Sequence, residues 1–380
     1  MFSFSKKSVE KLNLILDIKS SVVRGTLFLI KTGELPYILW TSGVEIPYKS
    51  DTDSGYMLAE TIKAVKKISG DAHIYTHGAN LKTKIYTIHI ILSSPWIISQ
   101  ARTIDQRFEN DTKISSLHVH DIIKSERAKL TESDKTLVGI EEKIFNVKLN
   151  GYELPNWQGN LAKTLSVSFA ISLASKKVTD AFIKACKESG LHGVRIDFHS
   201  SLLLQHIGLS RTLSIQEPYV LVHVHGELTD IVSANSQSCV LFASYPIGIR
   251  TITRNLMKLS NSTESTADST LTLRETKQLD QLHGATDMQF IDTATAPWVL
   301  GCSNILSLVP KEHQPMKAII SSRFHEDLFN ELFHKIDANI KVESLPSEKI
   351  LSLVRFEPLI AEKLRLNVFY IVALKILENI

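Results

Sequence analysis

Residues 223–230 read HVHGELTD. His223, His225 and Glu227 alternate, so on a strand their side chains share one face, where two imidazoles and a carboxylate could bind zinc. His118 and His120 repeat the spacing, but no closed ligand set is visible, and polar residues lining a cleft or a surface give the same pattern. Gly226 suggests different chemistry. A strand, a tight turn and a second strand bring backbone N–H groups close to a phosphate when the turn carries glycine. Here one glycine stands where a good phosphate cradle has two or three.

The elements that must position this turn are legible around it. An apolar strand at 219–222 leads in, a second strand starts at Asp230-Ile231-Val232, and a helix follows over 250–259. Upstream, 12–28 reads as a strand, a polar turn from Lys19 to Ser21 and a second strand from Val22 to Ile30, with a third strand at 36–41. Met57, Leu58, Ile62, Val65 and Ile68 predict a helix over 54–69 with Gly70 as its stop, and 84–94 is a strand ended by Pro95-Trp96. From 97 to 152 the pattern changes to a small, inserted α+β module: a strand at 96–103, a helix at 119–129 and a strand pair at 136–152. Trp96 and Trp157 bracket it, to pack it onto the sheet or to mark a partner surface. The alternating run 165–173 is expected to resume the main sheet, followed by a helix at 175–189 stopped by Gly190, a strand at 193–198 and a short helix at 201–208. The polar run 260–270 predicts a mobile loop and 273–282 a helix. The last part alternates: a strand at 316–321, a helix at 325–336, strands at 340–344 and 350–354, and a buried apolar helix at 365–380.

Composition narrows the function. The 380 residues suffice for two domains with sizeable cores, and 43% hydrophobic with 22% charged residues is ordinary globular material. Forty-three basic against 40 acidic side chains are too balanced for a nucleic-acid binder. Cys186, Cys239 and Cys302 offer neither a disulfide framework nor a CxxC metal site, which fits a reducing compartment. The first apolar segment is short and contains Asp17, unlike a secretory signal, and no run approaches the ~18 apolar residues of a membrane-spanning helix. The expectation is a cytoplasmic protein with no nucleic acid partner and no direct membrane insertion.

The order strand-meander, helix, insertion, strand, helix, strand, then a second meander from Tyr219 is an internal duplication of ββαβα type. Two such halves, each presenting a strand–turn–strand hairpin to a cleft, are what an α/β, duplicated RNase H-like, two-lobed actin-like fold requires. The hairpins are 16–22 and 222–230.

At these residues the chain resembles the bacterial actin-like family that contains the cell-division protein FtsA and the type IV pilus assembly protein PilM. Asp17, Ser20, Ser21, Val23 and Arg24 are similar to that family's first phosphate motif, and Gly226, Thr229, Asp230 and Ile231 to its second. Tyr245-Pro246-Ile247-Gly248-Ile249-Arg250 resembles the family's segment leading into the next helix, and Leu149-Asn150-Gly151-Tyr152-Glu153 and Ala174-Ser175-Lys176-Lys177-Val178 the stretches after its inserted subdomain. The resemblance implies a first lobe in 1–94 and 161–212, an inserted SHS2 (1C) subdomain in 95–160, a second lobe (2A/2B) in 213–357 and a C-terminal helix in 358–380 returning to the first lobe. It implies nucleotide contacts from Asp17, Lys19, Ser20, Ser21, Gly226, Glu227, Leu228, Thr229, Asp230, Ser321 and Ser322, with Asp17 and Asp230 holding magnesium if ATP binds.

Departures from the pattern change the expected function. The family has aspartate where this chain has His223, and glycine where it has Lys19, His225 and Glu227. Side chains at those glycines block close approach of backbone to phosphate, and Glu227 would add like charge beside a triphosphate. Lys19 could supply charge to a phosphate in place of metal, although a lysine in a surface turn is more often solvated. The strand 318–320, equivalent to the one before the family's adenine-binding Gly-Gly pair, runs into Ser321-Ser322-Arg323-Phe324-His325 with no glycine. ATP and magnesium are therefore expected to bind weakly or not at all. The leading expectation is a PilM-like scaffold that docks the cytoplasmic tail of an inner-membrane protein of pilus or divisome, with homo-oligomers or filaments as a further assembly mode. The alternative is an FtsA-like ATP-binding polymer that tethers the division ring. A kinase of the same superfamily would need a catalytic carboxylate and an adenine glycine pair, and the latter has no clear version here.

Overall fold

The computed structural model describes residues 10–49, 53–79, 81, 83–213, 215, 217–235, 238–279, 284–344 and 347–360. In chain order the elements are β1 (Glu10–Ile18), β2 (Val22–Lys31), β3 (Tyr37–Glu45), α1 (Ser54–Gly78), β4 (Ile85–Leu92), β5 (Ile98–Lys113), α2 (Ser116–Ser133), β6 (Leu137–Leu149), β7 (Tyr152–Glu153) and β8 (Leu161–Ser175). They continue with α3 (Lys176–Glu188), β9 (Arg195–Ser200), α4 (Ser201–Leu213), β10 (Tyr219–Val224), β11 (Thr229–Ala234), β12 (Cys239–Tyr245), α5 (Ile249–Ser260), α6 (Glu264–Glu275) and α7 (Gly284–Leu306). The last are β13 (Lys317–Ser322), α8 (Glu326–His334), β14 (Lys341–Ser344), α9 (Ser347–Leu351) and β15 (Arg355–Phe356). Two compact units result: Met1–Ser93 with Val178–Thr212 and Pro346–Ile380, and Ser94–Lys177 with Leu213–Leu345.

Among the described residues the first unit carries a six-stranded sheet in the order β15-β3-β2-β1-β4-β9. β1 is antiparallel to β2 and parallel to β4, and its unbroken buried run from Leu12 to Ile18 is what a central strand covered on both faces requires. The second unit repeats the plan as β12-β11-β10-β13-β14, with β10 antiparallel to β11 and parallel to β13. The turns match: Ile18 pairs with Val23 at the end of the first hairpin and Val224 with Thr229 at the end of the second. The duplication is thus present in strand order, direction and register.

The second unit also carries a four-stranded sheet, β5-β8-β6-β7, with α2 packed over it. The run 165–173, expected in the main sheet, lies in β8 and pairs with β5 and β6; its Leu165, Val167, Phe169, Ile171 and Leu173 face Val119 and Ile123 of α2. An alternating strand states which face is buried but not which sheet it joins. Trp157 packs on this core and Trp96 is buried.

Other expectations change for local reasons. α1 runs through Gly70 because its buried stripe continues from Ile68 and Ser69 to Ala72. The polar run 260–270 is not a loop but most of α6: Thr263 caps it by accepting from the Thr266 N–H, and Ala267 and Leu271, one turn apart, are enough to dock it. Its serines and threonines bond back along the helix, as Thr270 does to Thr266 O and Thr272 to Asp268 O. The helix expected over 273–282 is helical only to Glu275, turns at 276–279, and passes beyond the described residues at 280–283. α7 was without a sequence counterpart, with Pro297 in its interior obscuring the pattern. The strand expected at 350–354 is instead the end of α9 and a turn, with β15 just after it. The helix expected at 365–380 lies outside the described residues.

Candidate functional site

The second hairpin is set by β10 and β11 and closed by His225 N–H donating to Leu228 O at 2.8 Å. Gly248 starts α5 against this turn. A Cβ there would lie 2.4 Å from His225 O and 2.5 Å from Gly226 O, so only glycine lets the helix approach. The Ile249 and Arg250 N–H groups then donate to those same two carbonyls, at 3.1 and 2.8 Å, and the next two N–H groups are taken by Gly248 O. The first turn of α5 is capped by the hairpin, so its dipole faces protein carbonyls rather than an anion.

Asp230 is fully buried and fully engaged. His225 Nε2 lies 2.9 Å from its Oδ2, the Ser94 N–H donates to the same oxygen at 3.3 Å, and the Ser244 hydroxyl donates to Oδ1 at 2.6 Å. Burial pushes this carboxyl up, but the His225 imidazole beside it and the bonds from His225, Ser244 and Ser94 outweigh burial and hold it below the usual carboxylate range. His223 and His225 do share a face, with ring centroids 4.1 Å apart. Glu227 turns away from them: Arg254 Nη2 makes a short contact with its carboxylate and Arg250 Nη1 lies at 3.7 Å. The expected uncompensated charge at Glu227 is therefore neutralised, and the three side chains do not converge on a metal. The Thr229 hydroxyl donates to Ile247 O and accepts from Trp298 Nε1 at 3.0 Å, a packing role beneath the turn.

The first hairpin, in the other unit, follows the same logic. Lys19 N–H donates to Val22 O at 3.0 Å to close the turn, and Lys19 Nζ lies 3.5 Å from Asp17 Oδ2, with both side chains largely buried. Lys19 is not a solvated surface lysine. Ser20 is buried and Ser21 half-buried.

At the end of β13, Ser321 is buried and Ser322 donates its hydroxyl to Phe324 O at 2.6 Å. His325 takes the left-handed conformation, φ 56°, just before α8. That conformation costs a non-glycine residue about 1 kcal/mol or more. It is held by Glu275 at the end of α6, whose Oε2 lies 3.0 Å from His325 Nδ1 and whose Oε1 accepts from the Asp327 N–H. The Glu275 contribution was invisible in sequence because a contact between residues so far apart in the chain leaves no local signal. His118, one of the histidines weighed for zinc, caps α2, its Nδ1 accepting from the Ser115 N–H at 3.1 Å.

The six-stranded sheet of the first unit, in its β3-β2-β1-β4-β9 part, and the five-stranded sheet of the second share one strand order, each headed by a tight hairpin, and together they define an actin-like ATPase fold. No protein-family model matches the chain, and no curated protein matches it in sequence. Among solved structures it is similar to the PilM–PilN type IV pilus biogenesis complex, with a TM-score of 0.66 and 13% identity over 97% of this chain and 98% of that one. Looser likenesses are MreB 5 of Spiroplasma citri bound to AMPPNP (TM-score 0.46, 10% identity, 97% and 96% covered) and EutJ from Carboxydothermus hydrogenoformans (0.44, 9%, 94% and 89%). The fold is PilM-like.

Proposed function

We propose that the chain is a PilM-like actin-fold scaffold that docks the cytoplasmic tail of an inner-membrane protein in type IV pilus or envelope assembly, with ATP turnover weak or lost. The likeness to PilM in its PilM–PilN complex supports the docking role, and the observation that carries the loss of turnover is the engagement of Asp17 by Lys19 and of Asp230 by His225. Both oxygens of Asp230 are taken by His225, Ser94 and Ser244, and Asp17 Oδ2 faces the Lys19 ammonium, so the carboxylates that would hold magnesium are already partnered within the chain and fit that ion poorly. No described helix is long and apolar enough to cross a membrane, and attachment through a partner supplies what the helix would. The strand–helix–strand–strand order of β5, α2, β6 and β8 supports reading the module as the SHS2 (1C) counterpart.

The test is retention of the purified chain on immobilised N-terminal tails of inner-membrane pilus proteins. Binding of at least one tail is expected, and failure of every tail sinks the docking role. An FtsA-like polymer would instead pellet in response to ATP. The paired carboxylates argue against that response.

A further inference from the structure

Three carboxylates of the motif hairpins, and a fourth at the end of α6, are each met by a side chain of the chain itself. Lys19 Nζ lies 3.5 Å from Asp17, His225 Nε2 2.9 Å from Asp230, Arg254 and Arg250 converge on Glu227, and His325 Nδ1 lies 3.0 Å from Glu275. Lys19, His225 and Glu227 stand where the resemblance places glycine, so the residues that would exclude a phosphate also supply these contacts. These contacts are sheltered: the Asp230 and His225 side chains are each 1% exposed and the Glu227 side chain 8%. A charge withdrawn from water this far needs a partner, and here the partner is built in. The helix end that would face an anion is likewise closed by the His225 and Gly226 carbonyls.

We infer that these side chains act as internal partners in place of nucleotide and magnesium, Lys19 and the Arg250–Glu227–Arg254 group by charge and His225 by its hydrogen bond to Asp230, so that both motif hairpins hold their folded geometry with no ligand bound. In an ATPase of this fold, negative phosphates and a divalent cation complete the turns. In this chain a lysine ion pair, a histidine hydrogen bond and an Arg–Glu–Arg group stand in those places. The inference concerns the same site as the proposed function and rests on its reading as degenerate, but not on any partner.

Thermal unfolding and amide hydrogen exchange of the purified full chain test it, with MgATP, with EDTA and with neither. A ligand in large excess over its Kd raises the melting temperature by several degrees. The expected result is an unchanged melting temperature and unchanged protection at 225–228 in all three conditions. A rise with MgATP that EDTA reverses overturns the inference. In the second arm, Glu227→Gln and Lys19→Gln remove charge without adding backbone freedom. Each is expected to lower the melting temperature and to speed exchange in its own turn, and wild-type values in both variants overturn the counter-ion role. Neither arm contains a membrane-protein tail, so loss of this inference and loss of the docking proposal are separately visible.

Discussion

His225 Nε2 lies 2.9 Å from Asp230 Oδ2 at the buried end of the second hairpin, and the same oxygen holds the Ser94 N–H at the root of the inserted module. One carboxylate therefore ties together a turn, the β12 serine and the residue just before the module. Asp230→Ala should cost about 3 kcal/mol, because it strands a buried imidazole, a hydroxyl and an N–H at once. Urea unfolding measures it, and a loss below about 1 kcal/mol would remove Asp230 from this role. The pH dependence has a definite sign. The folded carboxyl is held low, so its stabilisation is complete above the unfolded value of 3.8 and is lost as pH falls through the lower folded value. Asp230→Asn should flatten that acid limb.

His89 and His199 form a second buried pair, Nδ1 to Nε2 at 3.2 Å across β4 and β9. Burial first, then His199 beside it, lowers the His89 imidazole to about 4, with Asp197 opposing and Arg195 assisting. The unfolded chain thus binds a proton that the folded chain refuses between 6.5 and about 4. Stability should be whole above the unfolded value and fall as pH drops through that window, by at most about 3 kcal/mol from this group. His206, lowered to about 4 by burial alone, adds to the same loss. In His89→Gln the slope between these pH values should be visibly shallower, with the His206 share retained; identical slopes would contradict the assignment.

Gly248 is predicted to be intolerant of any side chain. Its φ of −128° suits any residue, so the restriction is space, and the atoms in the way are the His225 and Gly226 backbone. Gly248→Ala should lose roughly 1–3 kcal/mol and loosen the first turn of α5. Hydrogen exchange at Ile249 and Arg250 reports it directly. Unchanged protection there would mean that the turn shifts at little cost.

Trp298 packs beneath the same hairpin, fully buried, with Nε1 donating to Thr229 Oγ1 at 3.0 Å. Trp298→Phe removes the donor and keeps an aromatic ring, and about 1–2 kcal/mol should be lost. Thr229→Val probes the other partner. A double-mutant cycle should show coupling of the two, and strict additivity would indicate that the bond contributes nothing of its own.

Much of the architecture was legible in the sequence because periodicity and glycine report local backbone states. β1, β2, β4, β10 and α5 fall within a few residues of their expected bounds, and the duplicated hairpins stand where the alternation and the turns placed them. The elements misread were those whose local signal conflicts with their packing. α6 is polar and helical because Ala267 and Leu271 dock it, α1 passes through a glycine because its stripe continues, and β8 joins the module through its register with β5 and β6. Composition alone cannot weigh a tertiary contact against a propensity.

The sequence by itself determined which residues occupy the motif positions: lysine, histidine and glutamate where an actin-like ATPase carries glycine, and an intact Pro246-Ile247-Gly248 entry to α5. From those letters it follows that close approach of backbone to phosphate is obstructed. What the intruding side chains do instead was decided only by the tertiary structure. Lys19 reaches back from the turn to Asp17 on β1, His225 crosses the turn to Asp230, and Arg250 and Arg254 reach Glu227 from a helix more than twenty residues downstream. Charge pairing in a buried turn depends on distances between elements and on exclusion of water, and neither is a property of spacing along the chain.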